Sequence, residues 1–367
     1  MKDDLLPSSP NCSNTFVTGS TGINVVSLFN GMGTLRQAFH NLGIKVNSYY
    51  SSEIKPYAIE LQQYHFPDVV QVGDIRNWRD WDINWSSVDF VGSGSPCQDL
   101  SIQGKRKGIN GNKSSLFWVF IEILEHVKSL NPNVIFLQEN VGSASKLDVG
   151  IMSRALGVYP CRINSSLLTA QLRDRYYWTN IKTKKTMFDT VTDIPQPKDK
   201  KIMFKDIITS GTTNVEKSSC LMEGTVSKNT FKNNESKEAQ DYLKKRNSKM
   251  FITLIYEENN QLRCKTNTLK GYDVVTENDC LDLSFPTSKT RRGRVTKGKS
   301  PCLMESNNNL YSYKDGIVRI VNQIEMERLQ GFPDGYTSIL SKAKAGSLLG
   351  DGWTLPIIEH ILSFYEV

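Results

Sequence analysis

Between residues 23 and 179, short apolar runs alternate with segments that have the spacing of amphipathic helices. Strands separated by helices pair in parallel within one sheet that is covered on both faces. The alternation therefore predicts an α/β fold with a doubly wound, mostly parallel sheet, whose ligands bind at the carboxyl ends of the strands. The predicted strands are Ile23–Phe29, Val46–Ser51, Val69–Val72, Val88–Gly92 and Val134–Leu137, with helices over 56–64 and 117–127 between them.

The domain organisation follows from a change in composition near residue 182. Residues 1–21 are polar, lack the pattern of a signal peptide and are expected to form a loose leader. Residues 22–185 hold the predicted sheet. Residues 186–340 are rich in Lys, Asn, Ser and Thr, and we expect a smaller second domain and a hinge there. The segment 341–367 ends in an apolar helical pattern and is expected to return to the first sheet.

Composition excludes several classes of protein. The chain is 38% hydrophobic and 23% charged, as in globular proteins, and no apolar run reaches the roughly 18 residues of a membrane span. Its seven cysteines form no C-x-x-C pair, so neither a metal site nor a disulfide framework is expected. A net charge of +7 suits a polyanionic partner.

A glycine turn and two acids point to a nucleoside cofactor. Phe29–Gly33 follows the first predicted strand, and glycines there let the backbone approach a ligand closely. Glu53 ends the second strand, where an acid suits a ribose diol, and Asp74 ends the third, where it can accept from an adenine amino group. An ordinary strand–helix turn with two helix-capping acids is the alternative. The order favours an adenosyl cofactor without a pyrophosphate, because the third glycine of a dinucleotide fingerprint is missing.

Cys97 is the candidate nucleophile. It follows the fourth predicted strand within Gly94–Ser101, where Gly, Ser, Pro and Gln are poor neighbours for a packed core. Core packing is the usual role of a lone cysteine and remains the alternative. The following stretch, 104–115, is rich in glycine and basic residues. It is predicted to be a mobile loop that closes over a phosphate backbone, or else a solvated loop.

Further polar groups follow the fifth strand. Glu139 is placed to act as an acid, and Arg173 and Arg175 lie on one side of an extended segment, as donors to a base carbonyl or a phosphate. Surface charge is the alternative for the arginines. The stretch 289–299 is strongly basic with no acid, which predicts a phosphate-contacting strip.

The ordered set of motifs resembles the cytosine-5 DNA methyltransferase family over about Ile23 to Tyr365. The motifs are F-x-G-x-G at 29–33, the acid Glu53, Gly73-Asp74, Pro-Cys-Gln at 96–98, Glu-Asn-Val at 139–141, Q-x-R-x-R at 171–175, and later segments at 292–295 and 327–333. The opening S-L-F-N-G-M-G-T and Trp353 give a local likeness to the animal de novo DNA methyltransferases.

The resemblance implies a Rossmann-like methyltransferase sheet with a target-recognition domain. It also implies methyl transfer from S-adenosylmethionine to C5 of a cytosine flipped out of double-stranded DNA. Cys97 would add to C6, Glu139 would hold N3 and the amino group, and Arg175 would bind O2 with support from Arg173. The implied cofactor contacts are Phe29, Gly31, Gly33, Glu53, Asp74, Ile75, Leu116 and Trp353. The implied DNA contacts are Gln98, Ser101, Lys105, Arg106, Lys107, Lys113, Arg292 and Arg294.

The compact chain suggests a bacterial or phage enzyme of the restriction–modification type. It is expected to be monomeric and cytoplasmic, and nuclear only in a eukaryote.

Three alternatives remain: an RNA cytosine-5 methyltransferase, a catalytically dead DNA-binding partner, and an enzyme that adds another group. The chain lacks the Cys-Phe-Thr signature of members that act on transfer RNA, and it retains Cys97, Glu139 and Arg175. The recognised DNA sequence is not readable from this chain.

Overall fold

The computed structural model describes residues 22–96, 116–209, 226–227, 254–283, 285, 288, 290, 292–303, 310–314 and 317–366. Within these ranges the chain forms a large mixed sheet flanked by helices, and several smaller antiparallel sheets in its second half. No helix among these residues is both long enough and apolar enough to cross a bilayer.

The large sheet has seven strands in the order β3-β2-β1-β4-β5-β7-β6. Its strands are β1 Ile23–Leu28, β2 Val46–Ser52, β3 Val70–Gln71, β4 Phe90–Ser93, β5 Ile135–Val141, β6 Cys161–Asn164 and β7 Asp174–Thr179. The first five strands are parallel, and β7 runs antiparallel to β5 and β6. The predicted doubly wound, mostly parallel sheet is confirmed. Its strand order reverses between β1 and β4, which places a ligand crevice at their carboxyl ends.

Eight α-helices accompany the sheet in the described part of the chain. They are α1 Thr34–Asn41, α2 Pro56–His65, α3 Leu116–Leu130, α4 Lys146–Leu156, α5 Phe204–Ile207, α6 Gln323–Gln330, α7 Lys342–Asp351 and α8 Leu355–Leu362. Short 3-10 turns lie at Ile75–Asp80, Trp85–Ser87 and Ser165–Leu167. Helix α6 shows how the sequence sets its ends: Asn322 and Glu325 form a reciprocal capping box, and Gly331 ends the helix at φ +75°.

The sheet is buried on both faces because neighbouring residues of a strand point to opposite sides. Val25 packs in a hydrophobic cluster with residues of α1, α2, α6, α7 and α8, whereas Val26 packs with α3 and α4. Tyr177 and Trp178 divide in the same way on β7. Residues 322–340 lie in the sequence range assigned to the second domain, and several of their apolar side chains join the first cluster.

The second half of the chain holds three antiparallel assemblies. A hairpin pairs β8 Thr183–Lys185 with β9 Thr190–Thr192. A five-stranded sheet has the order β10-β17-β16-β14-β15, and a three-stranded sheet has the order β11-β12-β13. Their strands are β10 Val226–Ser227, β11 Ile255–Glu258, β12 Gln261–Lys265, β13 Tyr272–Val274, β14 Cys280–Asp282, β15 Arg294–Thr296, β16 Leu310–Lys314 and β17 Ile317–Ile320. A small third hydrophobic cluster joins the two sheets.

Candidate active site

The turn after β1 has an unusual backbone. Phe29, Gly31 and Gly33 all have left-handed dihedrals, with φ of +55°, +56° and +81°. A left-handed conformation costs a residue with a side chain about 1–2 kcal/mol, which makes Phe29 a strained position. A Cβ added at Gly31 would have only the Phe29 carbonyl oxygen nearby, at 4.0 Å, so this face of the turn is open.

A buried polar network fixes this turn from below. Asn30 accepts a hydrogen bond from the Tyr49 hydroxyl at 2.9 Å and donates to Ser51 Oγ at 3.0 Å. Ser51 donates to Gln62 Oε1 at 2.7 Å, and Gln62 Nε2 donates to the Gly31 carbonyl at 2.6 Å. Burial raises the pKa of Tyr49, which keeps its hydroxyl protonated as the donor. Since satisfied buried networks are rigid, the turn is held in one shape before any ligand arrives.

A cavity of about 700 Å³ opens at the carboxyl ends of β1, β2, β4 and β5. This volume lies in the range of small-molecule sites. Seven of the eight predicted cofactor residues line it, namely Phe29, Gly31, Glu53, Asp74, Ile75, Leu116 and Trp353. The eighth, Gly33, is not among the lining residues. It precedes α1, and a Cβ there would face Gln62 and Tyr336 at 3.5 and 3.9 Å.

The two predicted acids enter the cavity as hydrogen-bond acceptors. Glu53 Oε2 accepts from the Gly31 amide at 2.8 Å, which ties the end of β2 to the glycine turn. The guanidinium of Arg76 pairs with Asp74 and holds the pKa of that carboxyl below its ordinary value. Asp74 is therefore an ionised acceptor at neutral pH. Two carboxylates, an open glycine turn and apolar side chains fit an adenosyl group with its ribose hydroxyls.

Glu139 is held at both carboxylate oxygens. Arg175 Nε forms an ion pair with Oε1 at 2.8 Å, and the Trp353 indole donates to Oε2 at 3.1 Å. All three residues line the cavity. The sequence placed Glu139 after the fifth strand, but it lies within β5. The strand continues because β7 pairs with it here, with Glu139 opposite Tyr177 and Val141 opposite Arg175.

Arg173 serves a different part of the site from Arg175. Its side chain is buried, and it donates to the carbonyl oxygens of Gly350 at 2.9 Å and Gly352 at 2.8 Å. A longer contact reaches the Asp351 carbonyl at 3.3 Å. These bonds satisfy carbonyls at the end of α7, where a helix leaves its own acceptors unpaired. Arg173 thus attaches the C-terminal segment to the cavity wall.

Cys302 contacts both arginines and was not singled out by the sequence analysis. Arg173 donates to its sulfur at 3.0 Å, and Arg175 NH2 lies at 3.7 Å. Burial alone would raise the pKa of the Cys302 thiol, but the two guanidiniums outweigh burial and lower it. The sequence offered little sign of this role, because the residue lies in the polar second half of the chain and outside every motif.

Polar side chains also support the segment that leads to Cys97. Ser95 Oγ accepts from Gln138 Nε2 at 2.8 Å and from Asn140 Nδ2 at 3.3 Å. Ser95 and Pro96 line the cavity, so the chain enters position 97 from the cavity wall. Cys97 itself lies outside the described residues. The same holds for the predicted DNA contacts Gln98, Ser101, Lys105, Arg106, Lys107 and Lys113.

The basic strip at 289–299 contains several structural ion pairs. Arg294 pairs with the buried Asp282 across β14 and β15. Lys297 contacts the buried Asp279 at 2.5 Å, and Lys299 donates to the Ser166 carbonyl at 3.0 Å. Arg292 is half-buried. Among the described residues, no group of three or more His, Cys, Asp or Glu is arranged to hold a metal ion.

Comparisons with known proteins show to which family the chain belongs. A family model described as C-5 cytosine-specific DNA methylase matches residues 23–364. The type II methyltransferase M1.ScrFI of Lactococcus lactis subsp. cremoris is 25% identical over 347 residues, which are 92% of this chain and 76% of that protein. The orphan methyltransferase M.SPRI of Bacillus phage SPR is 31% identical over 178 residues, covering 44% of this chain and 38% of that protein.

Solved structures agree in fold. The S. pombe Dnmt2 methyltransferase matches with a TM-score of 0.53 and 15% identity, over 94% of this chain and 98% of that chain. At this identity the likeness speaks for the fold alone, whereas the family model spans nearly all of the described sequence. The chain therefore belongs to the C-5 cytosine-specific DNA methylase family, the S-adenosylmethionine-dependent enzymes that methylate cytosine in DNA.

Proposed function

We propose that this enzyme methylates C5 of a cytosine within a short specific sequence of double-stranded DNA, through a covalent adduct between Cys97 and C6. The observation that carries the proposal is the Glu139–Arg175 ion pair at 2.8 Å in the wall of the cavity. A carboxylate and a guanidinium side by side match the polar edge of cytosine, which offers N3 and an amino group beside a carbonyl oxygen.

The methyl donor would occupy the same cavity beside the glycine turn. Glu53 is proposed to hold its ribose hydroxyls and Asp74 its adenine amino group, with Phe29, Ile75 and Leu116 around the adenosyl group. Gly31 provides the open backbone face. Gly33 contributes through the shape of the turn. S-adenosylmethionine, when bound, supplies an electrophilic methyl group.

The chain's own groups prepare the cytosine. The Cys97 sulfur forms a bond to C6 as a thiolate, and Glu139 gives a proton to N3, so that the ring electrons move to C5. Arg175 holds the O2 atom, and Arg173 keeps the C-terminal segment against the site. After methylation, a water or hydroxide removes the C5 proton and the C6–sulfur bond breaks to restore the thiolate. N3 then returns its proton to Glu139, which leaves the ring aromatic and neutral.

DNA recognition is assigned to the second half of the chain. The target base must leave the helical stack, at a cost of a few kcal/mol, before Cys97 can reach C6. We propose that residues 186–340 include the target-recognition domain, and that Arg292, Arg294 and the basic residues 105–107 and 113 contact phosphates. Gln98 and Ser101 are proposed as further DNA contacts. The enzyme is proposed to act as a monomer in the cytoplasm of a bacterial or phage-infected cell.

A mechanism-based trap tests the proposal. The wild-type protein is incubated with S-adenosylmethionine and a duplex in which 5-fluorocytosine replaces the target base, located beforehand by bisulfite sequencing of DNA from cells that express the chain. We expect a covalent adduct resistant to denaturation. Cys97→Ser should form none and transfer no methyl group, yet bind the duplex with an affinity near that of the wild type. Wild-type-like methylation by Cys97→Ser would refute the mechanism.

Substrate choice is tested with the same protein. Methyl transfer to duplex DNA and to transfer RNA is compared at equal concentrations, with Cys97→Ser as the blank for both. Methylation of transfer RNA in preference to DNA would overturn the assignment of the nucleic acid while leaving the adduct chemistry in place.

A further inference from the structure

Trp353 lies between the C-terminal end of α7 and the start of α8, in a segment that lines the cavity. Its aromatic ring and its indole N–H contact different groups. The side chain lines the cavity and packs against the first hydrophobic cluster. The indole N–H donates to Glu139 Oε2 at 3.1 Å. A tryptophan that served only as a cavity wall would not require this bond.

The segment ahead of Cys97 also fixes the indole. A Cβ added to Gly94 would lie 2.7 Å from Trp353 Nε1 and 3.3 Å from Cε2. The ring therefore rests directly on the Gly94 backbone, where only a glycine leaves enough space. This close approach sets the direction of the N–H bond toward Glu139.

Two charged side chains hold the segment that carries Trp353. Arg173 binds the carbonyls of Gly350 and Gly352. Lys55, which follows Glu53 on the cofactor side of the cavity, contacts Asp351 Oδ2 at 2.7 Å. The position of the indole is thus tied to both the cofactor side and the base side of the site.

We infer that Trp353 is a positioning residue for Glu139, a role beyond the wall of the cofactor cavity. The inference rests on the proposed function, in which Glu139 acts on the cytosine. Arg175 binds one of the two carboxylate oxygens. That contact alone would not stop the carboxylate group from rotating about the bond that joins it to the rest of the side chain. The indole binds the other oxygen, and two bonds to a charged group from different directions fix that plane.

Trp353→Phe separates the two roles, because phenylalanine keeps an aromatic wall and loses the donor. We expect the rate of methylation at saturating substrates to fall about ten- to hundredfold, as for loss of a hydrogen bond to a charged group. The dissociation constant of S-adenosylmethionine, measured by calorimetry, should change less than about threefold. Weakened cofactor binding with an unchanged saturated rate would overturn the inference.

Trp178→Phe is the matched control. Trp178 also donates through its indole, to Ser153 Oγ at 2.9 Å, but it is fully buried, whereas Trp353 is half-buried, and it lies on the opposite face of the sheet from Tyr177 and the first cluster. Trp178→Phe should lose at least as much thermal stability as Trp353→Phe and keep its rate. An equal loss of rate in this control would show that Trp353→Phe acts through stability alone.

A double-mutant cycle that combines Trp353→Phe with Glu139→Ala completes the test. The quantity measured is the single-turnover rate of adduct formation with a duplex that contains 5-fluorocytosine. Without a carboxylate to orient, Trp353→Phe should change that rate less than about threefold, because residues that act as a unit are not additive. The same loss in both backgrounds would refute the positioning role. Absence of adduct in the wild type would instead refute the proposed function, so the two failures are distinguishable.

Discussion

The carboxyl rim of the large sheet and the small antiparallel sheets both contain buried acids paired with basic side chains, but the pairs differ in what surrounds them. Glu139 faces the cavity and is bonded by residues from two other elements, β7 and the α7–α8 junction. Asp279 and Asp282 are equally buried, yet their partners Lys297 and Arg294 come from the neighbouring segment of the same small fold and extend into solvent.

The surroundings of a buried acid therefore distinguish an acid placed for catalysis from a structural one more clearly than its charge does. The oxygens of a buried acid that faces a cavity can still accept hydrogen bonds from a ligand. The oxygens of an acid covered by its own sheet accept theirs from neighbouring residues. Basic residues follow the same division. Arg173 is almost fully enclosed, at 4% exposed, while the Lys297 side chain is 57% exposed. Substitutions at matched positions test whether the two kinds of ion pair differ in this way.

The largest contrast is expected between Glu139→Gln and Asp282→Asn. The first keeps the shape of the side chain and removes its proton transfer, so the methylation rate should fall roughly 10²- to 10⁴-fold with the fold intact. The second should lower the free energy of unfolding by about 1–3 kcal/mol and leave the rate nearly unchanged. Steady-state methylation and urea unfolding measure the two effects. Comparable losses of rate in both variants would break the comparison.

A smaller contrast is expected between the enclosed Arg173 and the exposed Lys297. Arg173→Ala removes donors from carbonyls at the end of α7 and should lower the free energy of unfolding by about 3–5 kcal/mol. Lys297→Met should cost about 1 kcal/mol or less, because the Lys297 side chain is 57% exposed and Asp279 keeps bonds from the Thr276 backbone and hydroxyl. Thermal and urea unfolding of both variants test this, and equal losses would contradict it.

The smallest effect should appear in the salt dependence of DNA binding. If Arg292 contacts one phosphate, Arg292→Ala should reduce the slope of log K against log salt by about 0.9. Arg294→Ala should reduce it by less, because Asp282 already neutralises that guanidinium. The slopes are measured on a duplex with the recognised sequence. Equal reductions would mean that Arg294 leaves Asp282 to bind DNA.

The first sheet was predictable because its signals are local. Runs such as the one over Ile23–Leu28 are apolar and bounded by glycine or acids, and α6 has a capping box and a terminal glycine in the sequence itself. Strand β7 was predicted only as an extended segment around Arg173 and Arg175. Strand β6 was not predicted, because the four residues Cys161–Asn164 form no apolar run and only Ile163 among them is fully buried. The small antiparallel sheets escaped prediction because their short strands bury few apolar residues, as the small size of their cluster shows.

The residues of the site were predictable from the sequence, but the contacts between them were not. The motifs brought together Glu53, Asp74, Glu139 and Arg175 around one cavity. No sequence pattern indicated that Trp353 would bond Glu139, since the two are separated by 214 positions. The sulfur of Cys302 was missed for the same reason, because its significance depends on guanidiniums from another strand.

That sulfur has a practical consequence. A thiolate-directed alkylating reagent would find in Cys302 a second thiol whose pKa is lowered, by the neighbouring guanidiniums of Arg173 and Arg175, without any help from cytosine. Inactivation by iodoacetamide therefore needs the Cys302→Ser protein beside the wild type before it is assigned to Cys97.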